Sequence, residues 1–126
     1  MDSLRILLVE DEPDLRSLVC QALEVLGHRV TVAVDGRHAL EVLEEAEFDV
    51  ICSDVAMPNG ISGIELAERA RIRHPQARIL LTSGFPRSEL GALPEGAVFL
   101  PKPYRILQLL KAIAGSRSRV TQHGLG

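Results

Sequence analysis

The chain is 126 residues long, which fits one domain of the commonest size. Hydrophobic residues make up 46% of it and aromatic residues 3%, so the sequence predicts a single core built from aliphatic side chains. The formal net charge of −3 gives no reason to expect a nucleic-acid partner. No apolar run is as long as about 18 residues, the length needed for a membrane span. Acidic residues follow the first apolar run directly, a pattern that a signal peptide does not have.

Strands and helices are predicted to alternate along the chain. Short apolar runs predict strands, and apolar residues at helical spacing predict the helices between them. The predicted strands are residues 4–9, 29–33, 48–53, 78–82 and 97–100, and the predicted helices are residues 13–26, 37–46, 64–73 and 104–114. The segment 85–96 contains Pro86 and Pro94, so any helix there is expected to be short, near residues 87–93.

This alternation predicts the fold class. Strand and helix in turn call for a parallel sheet with helices on both faces. The first, third and fourth predicted strands contain continuous apolar runs, at residues 6–9, 50–52 and 79–81. The second alternates, as a partly exposed edge strand does. We therefore expect an α/β fold, with a doubly wound five-stranded parallel sheet in a domain of residues 1–115. Residues 116–126 are predicted to form a basic, flexible tail.

The cysteines and histidines indicate no chemistry of their own. Cys20 lies in a predicted helix and Cys52 in a predicted strand, each within an apolar pattern. Free cysteine in such positions packs as a small hydrophobic residue, and it is typical of the reducing cytoplasm. The four histidines are scattered without the spacing of metal ligands, so a zinc site is not expected.

Polar side chains follow four of the predicted strands. They are Glu10 and Asp11 after the first strand, Asp54 after the third, Thr82 and Ser83 after the fourth, and Lys102 after the fifth. In a parallel sheet these ends share one edge, where open α/β sheets bind ligands. Carboxylates gathered there repel one another unless a cation joins them, and Mg²⁺ prefers carboxylates, waters and a phosphate. With a hydroxyl and an ammonium group nearby, the pattern indicates phosphoryl transfer to or from a carboxylate.

Each of these residues taken alone has a simpler explanation. An acid after a strand is commonly a solvated turn residue, a hydroxyl is commonly a cap, and a lysine is commonly a surface charge. The prediction therefore depends on their occurring together and in this order.

The sequence resembles the receiver domains of response regulators, the phospho-accepting half of two-component signalling. The resemblance covers about residues 4–114. Four motifs carry it: ILLVEDE (residues 6–12), ICSDVAMPNGISG (51–63), ILLTSGF (79–85) and FLPKPY (99–104). It implies a (βα)5, flavodoxin-like sheet with the strand order 2-1-3-4-5, for which receiver proteins are a known example.

The resemblance also implies an acceptor and a metal site. Asp54 would take a phosphoryl group from the phosphohistidine of a partner histidine kinase or histidine phosphotransferase. Asp11 and Asp54 would bind Mg²⁺ directly, and Glu10 would act on it through water. The backbone carbonyl of Ala56 would complete the protein ligands.

It further implies a switch. Ser83 would be the responding hydroxyl, because Gly84 occupies the small-residue position after it and Thr82 falls one place earlier. Lys102 would pair with the phosphoryl group, and the bond between Lys102 and Pro103 would be cis.

Phe99 would be the aromatic switch residue in the fifth strand, entering the space that Ser83 leaves when it approaches phosphorylated Asp54. A downstream protein would then bind the surface formed by the fourth helix (the short one expected between the fourth and fifth strands), the fifth strand and the last helix. We expect a monomer or weak homodimer, in the cytoplasm, that binds neither nucleic acid nor membrane.

Some positions depart from the commonest receiver pattern. The loop MPNGISG is one residue longer, and the segment between Ser83 and Lys102 is short for a fourth helix, as in receivers attached to hybrid sensor kinases. Ala56 and Phe85 occupy positions at which receiver proteins admit the hydrolytic water. Since alanine cannot orient water and phenylalanine can shield it, slow autodephosphorylation is expected.

Two other functions are open to a chain with this pattern. The alternative is a receiver-fold interaction module that is not phosphorylated, against which the complete set of site residues argues. A phosphatase with an aspartate nucleophile would need a second acid two residues after Asp54, where Ala56 stands. We therefore expect that the protein is not an enzyme, except that it catalyses its own phosphorylation and dephosphorylation.

Overall fold

The computed structural model describes residues 3–57 and 60–114 of the chain. Within them lie the strands β1 (Arg5–Val9), β2 (Arg29–Ala33), β3 (Val50–Asp54), β4 (Arg78–Ser83) and β5 (Val98–Pro101). The helices are α1 (Pro13–Val25), α2 (Gly36–Glu45), α3 (Gly63–Arg73) and a helix over residues 106–114, here called α4. The predicted tail at residues 116–126 lies outside the described residues.

The five strands form one parallel sheet in the order β2-β1-β3-β4-β5. The predicted fold class and strand order are therefore confirmed. Because β1 and β3 are neighbours while the chain leaves them toward opposite edges, the crevice between their carboxyl ends is the topological switch point of the sheet.

The core has two layers, one on each face of this sheet. Alternate residues of β1 point to opposite faces, so Leu7 and Val9 pack with α2 and α3, and Ile6 and Leu8 pack with α1 and α4. All five residues of β3 are buried. This explains why the central strands are continuously apolar, since both of their faces are covered.

Local chemistry fixes where the helices begin. Pro13 starts α1, a position that needs no backbone N–H donor. The side chain of Ser62 accepts a hydrogen bond from the backbone N–H of Glu65 at 3.2 Å and caps α3. Both helices start at the carboxyl edge of the sheet, immediately after the loops that carry the candidate site.

The segment between β4 and β5 contains no α-helix. Its helical structure is a single 3₁₀ turn, Arg87–Glu89, followed by Gly91 with a φ of +73°. Two prolines and a glycine in the left-handed region do not sustain a regular helix. In the described part of the chain, no helix is long and apolar enough to cross a bilayer.

Candidate functional site

Three carboxylates meet at the switch point of the sheet. One ligand oxygen from each of Glu10, Asp11 and Asp54 lies within 4.8 Å of those from the other two. Glu10 and Asp54 are only 3% and 7% exposed, whereas Asp11 is open to solvent. The register explains the meeting, because Val9 pairs with Ser53 and the residues that follow them, Glu10 and Asp54, therefore lie side by side at the carboxyl edge of the sheet.

Lys102 joins two of these carboxylates. Its Nζ atom lies 3.1 and 3.3 Å from the two carboxylate oxygens of Glu10 and 3.1 Å from Oδ2 of Asp54. The backbone N–H of Lys102 donates to the carbonyl of Ser83 at 2.7 Å, which continues the pairing of β5 with β4. The peptide bond between Lys102 and Pro103 is cis. The structure thus brings the predicted lysine to the predicted acids.

Burial determines the protonation behaviour of these groups. It raises the pKa of Glu10 and of Asp54, and the neighbouring charges of Asp54 and Asp11, respectively, raise them further, despite the ammonium group of Lys102. Burial acts to lower the pKa of Lys102, but hydrogen bonds and charges from Asp54 and Glu10 outweigh it, so that this pKa is raised. Two buried carboxylates therefore share one cation.

The oxygen ligands present fit a magnesium ion. A hard divalent cation relieves the repulsion among three carboxylates, and Mg²⁺ takes oxygen ligands while keeping several waters. Glu10 and Asp54 line the buried side of the cluster, and exposed Asp11 leaves its solvent side open for those waters. Glu10, Asp11 and Asp54 are the side chains that would hold the ion.

Both hydroxyl residues lie at the end of β4. Thr82 pairs with Asp54 in the sheet, and its carbonyl accepts a hydrogen bond from the backbone N–H of Val55 at 2.8 Å. Ser83 is the last residue of the strand and is buried. Its Oγ accepts a hydrogen bond from the backbone N–H of Phe85 at 2.9 Å. Strand β4 therefore presents a buried serine one residue beyond the partner of Asp54.

The remaining predicted residues lie around this cluster. Ala56 is exposed, in the loop that follows β3. Phe99 lies in β5 opposite Leu81 and is half-buried. Its neighbours Val98 and Leu100 pack on the face of α1 and α4, so Phe99 points to the other face, against which Leu90 and Leu93 pack. Phe99 is thus a half-buried side chain on the face of the sheet that carries Leu81.

The thiol of Cys52, near the carboxylate cluster, is not a nucleophile at neutral pH. Cys52 lies in β3, two residues before Asp54, and is buried. Burial raises its pKa to about 12, so the thiol stays protonated at neutral pH. The expectation that Cys52 packs as a hydrophobic residue agrees with this environment.

Gly63 supports the site in a way that the sequence analysis did not recognise. A Cβ atom added to Gly63 would collide with the carbonyl oxygen of Asp54 and lie 2.9 Å from the Cα atom of Val55. The backbone N–H of Gly63 donates to the carbonyl of Val55 at 2.8 Å. The start of α3 therefore lies directly against the acceptor strand. A glycine immediately after a capping serine was the available signal.

Comparison with known proteins decides the family. The sequence model of the response regulator receiver domain family matches residues 6–114 of the chain. The chain belongs to the response regulator receiver domain family. It is 38% identical over 112 residues to the response regulator receiver protein CpdR of Brucella abortus (strain 2308), an alignment that covers 86% of this chain and 92% of CpdR. It is 37% identical to the sensor kinase CckA of the same organism, of which it spans only 12%.

Solved structures show the same likeness. The receiver domain of the hybrid histidine kinase CckA superposes with a TM-score of 0.78 at 37% identity, covering 89% of this chain and 97% of that one. The response regulator TrrA of Thermotoga maritima, solved in complex with Mg²⁺ and BeF, has a TM-score of 0.78 at 30% identity, with coverage of 89% and 97%. As a receiver domain, this chain is a phospho-accepting module of two-component signalling, a class that acts with histidine kinases or phosphotransferases.

Proposed function

We propose that Asp54 is the residue at which this receiver domain is phosphorylated. Three features support it: Asp54 ends the central strand, lies within reach of two further acids, and is held by Lys102. Asp11 is exposed, which suits a metal ligand with bound waters, and Glu10 is buried behind it. No other carboxylate in the described residues is placed among such a set of charges.

The transfer follows from this arrangement. A carboxylate oxygen of Asp54 attacks the phosphorus atom of a phosphohistidine in a histidine kinase or histidine phosphotransferase. The new P–O bond forms an acyl phosphate as the P–N bond breaks, and the imidazole nitrogen keeps the electron pair and takes up a proton. Asp11, Asp54 and the backbone carbonyl of Ala56 would hold Mg²⁺, with Glu10 acting through water, and the bound ion would supply positive charge beside the phosphoryl oxygens.

Lys102 and Ser83 would act on the phosphorylated acid. The ammonium group of Lys102 lies 3.1 Å from Oδ2 of Asp54 and can follow the new phosphoryl oxygens with little movement. Ser83 would donate its hydroxyl proton to another of them, which requires a move away from its present contact with the backbone N–H of Phe85.

The proposed readout surface lies at the β5 edge of the sheet. Phe99, half-buried beside Leu81, would enter the space that Ser83 leaves. A downstream protein would recognise the altered surface formed by residues 84–97, β5 and α4. We place the protein in the cytoplasm, to which its two free cysteines are suited, as a monomer or weak homodimer.

The experiment is incubation of the purified protein with acetyl phosphate and Mg²⁺. Intact-mass spectrometry should show one added phosphoryl group, which disappears in Asp54→Asn. Asp49→Asn is the matched control, because Asp49 pairs with Arg5 near the amino end of the sheet. It should keep the adduct. A receiver-fold module that is not phosphorylated gives no adduct in the unaltered protein, and an adduct that persists in Asp54→Asn assigns the acceptor to another residue.

A further inference from the structure

Arg16 connects helix α1 to the end of strand β1. Its Nη1 atom donates a hydrogen bond of 2.8 Å to the backbone carbonyl of Glu10. The residue is half-buried, four positions into α1. The ion pairs found among the described residues do not include Arg16, so its guanidinium group is directed at this carbonyl and not at a carboxylate.

This contact fixes a turn that would otherwise have few restraints. Strand β1 ends at Val9, and the next residue retains one sheet-like bond, from the N–H of Glu10 to the carbonyl of Ala33 at 3.3 Å. The N–H of Glu12 donates to the side chain of Glu10 at 3.2 Å. Arg16 holds the carbonyl between these two bonds, and its own N–H donates to the carbonyl of Glu12 at 2.9 Å.

Asp11 lies within this turn. Its side chain is exposed, so packing does not hold it, and its position depends on the backbone on either side. The carbonyl that Arg16 binds belongs to the peptide unit that joins Glu10 to Asp11. Rotation of that unit would move the Asp11 carboxylate away from Glu10 and Asp54.

We propose that Arg16 is a positioning residue for the magnesium site. It holds the peptide unit between Glu10 and Asp11 so that the Asp11 carboxylate stays within ligand distance of Asp54 before the ion binds. This inference rests on the proposed Mg²⁺ site, and it assigns Arg16 no contact with the ion or the phosphoryl group. Residues that orient metal ligands in this way affect metal affinity more than they affect the chemical step.

The test compares Arg16→Gln, Arg16→Lys and the control Arg87→Gln. Arg87 makes the same kind of contact, from Nη1 to the carbonyl of Gly91 at 2.9 Å, and its loss removes the same charge. Isothermal titration calorimetry on the unphosphorylated protein measures the Kd for Mg²⁺. We expect Arg16→Gln to raise this Kd roughly tenfold and Arg87→Gln to leave it unchanged. Arg16→Lys, which keeps a donor and the charge, should give an intermediate value.

Two further measurements separate positioning from a general structural effect. The rate of phosphorylation by acetyl phosphate at saturating Mg²⁺ should match that of the unaltered protein. In the metal-free protein, hydrogen exchange at the Glu12 amide should be faster in Arg16→Gln. If Arg16→Gln does not fold, Arg16→Lys provides the same comparison.

Several results would overturn the inference. They are an unchanged Kd in Arg16→Gln, an equal rise in Arg87→Gln, or a lower rate at saturating Mg²⁺ with an unchanged Kd. If the unaltered protein binds Mg²⁺ and is phosphorylated while these results hold, only the inference about Arg16 fails. If the unaltered protein binds no Mg²⁺, the proposed metal site fails with it.

Discussion

The Nζ atom of Lys102 lies 3.1 Å from Oδ2 of Asp54, although the two residues are 48 positions apart and β4 separates their strands. The same atom lies 3.1 Å from Oε1 of Glu10. One ammonium group therefore pairs with two buried carboxylates, one directly after β1 and the other at the end of β3. The metal-free fold depends on it, because a buried carboxylate without a cation is strongly unfavourable.

Replacing Lys102 with methionine tests this dependence. We expect the metal-free variant to lose about 3 kcal/mol of unfolding free energy at pH 7, since two buried acids would be left unpaired. The loss should shrink as the pH falls, because Glu10 and Asp54 then take up protons. At high pH the loss should also shrink, when the pH rises through the raised pKa of Lys102 and its ammonium group gives up a proton. Urea denaturation over a pH series measures both effects. Lys111→Met, on the exposed side of α4, is the control, and an equal loss there would contradict the prediction.

Asp54→Asn should stabilise the metal-free protein. The pKa of Asp54 is raised in the folded state, chiefly by burial, so the folded protein prefers the protonated acid and the ionised form reduces stability above that pKa. Removing the charge should raise the free energy of unfolding by about 1 kcal/mol, which corresponds to about 4 °C in Tm. Mg²⁺ should then raise the Tm of the unaltered protein more than that of the variant. Thermal denaturation with and without Mg²⁺ measures both, and a lower Tm for the metal-free variant would refute the prediction.

As the pH decreases, the affinity for Mg²⁺ should begin to fall at a higher pH than it would if Glu10 and Asp54 had ordinary carboxyl pKa values. Burial raises the pKa of Glu10 above its usual 4.5 and that of Asp54 above its usual 3.8. Because the ion binds the deprotonated acids, protons compete with it up to these higher pKa values. Titrations of Mg²⁺ between neutral and mildly acidic pH would measure the effect. A Kd that stays constant until the ordinary pKa values are reached would show that the folded protein does not raise them.

The sequence predicted the elements whose physical cause is local. Continuous apolar runs marked β1, β3 and β4, and the strand order followed with the family resemblance. The ends of β3, β4 and β5 were each placed one residue early. In β3 and β4 the reason is that polarity suggested that Asp54 and Ser83 had left the sheet. Their backbones in fact pair with Thr82 and Pro101.

Other features depend on three-dimensional approach, which no sequence pattern specifies. Gly63 is required by the short distance between α3 and β3, and the sequence pattern of each element by itself does not specify that distance. The contact from Arg16 to the carbonyl of Glu10 depends on the conformation of a long side chain. The single 3₁₀ turn at Arg87–Glu89 was predicted only as a weak helix signal, because prolines and glycines exclude structure better than they specify it.

Gly63→Ala should destabilise the protein by about 2 kcal/mol, because the new methyl group collides with the carbonyl of Asp54 and the backbone must move. Gly84→Ala is the matched control, because nothing lies within 4 Å of a Cβ atom at Gly84 and its backbone is not in the left-handed region. That change should be neutral or slightly stabilising. Chemical denaturation compares the two variants. Equal effects would show that the approach of α3 to β3 does not require glycine.

Phosphate release from phosphorylated Asp54 should be slow. The side chain of Ala56 has no polar atom with which to orient a water molecule. Phe85, 55% exposed, stands two residues beyond Ser83 at the same edge of the sheet. Ala56→Asn adds an amide that can align water, and Phe85→Ala opens a path to the acyl phosphate. Each change should accelerate hydrolysis about tenfold, as expected when an attacking water is oriented or admitted.

The measurement is the rate at which the adduct formed with acetyl phosphate decays. After the donor has been removed, the release of inorganic phosphate reports this rate. Leu107→Ala is the control, since it removes an exposed apolar side chain from α4 without changing the residues named above. It should leave the decay rate unchanged. Faster decay in the unaltered protein than in Ala56→Asn or Phe85→Ala would show that these two side chains do not restrict the hydrolytic water.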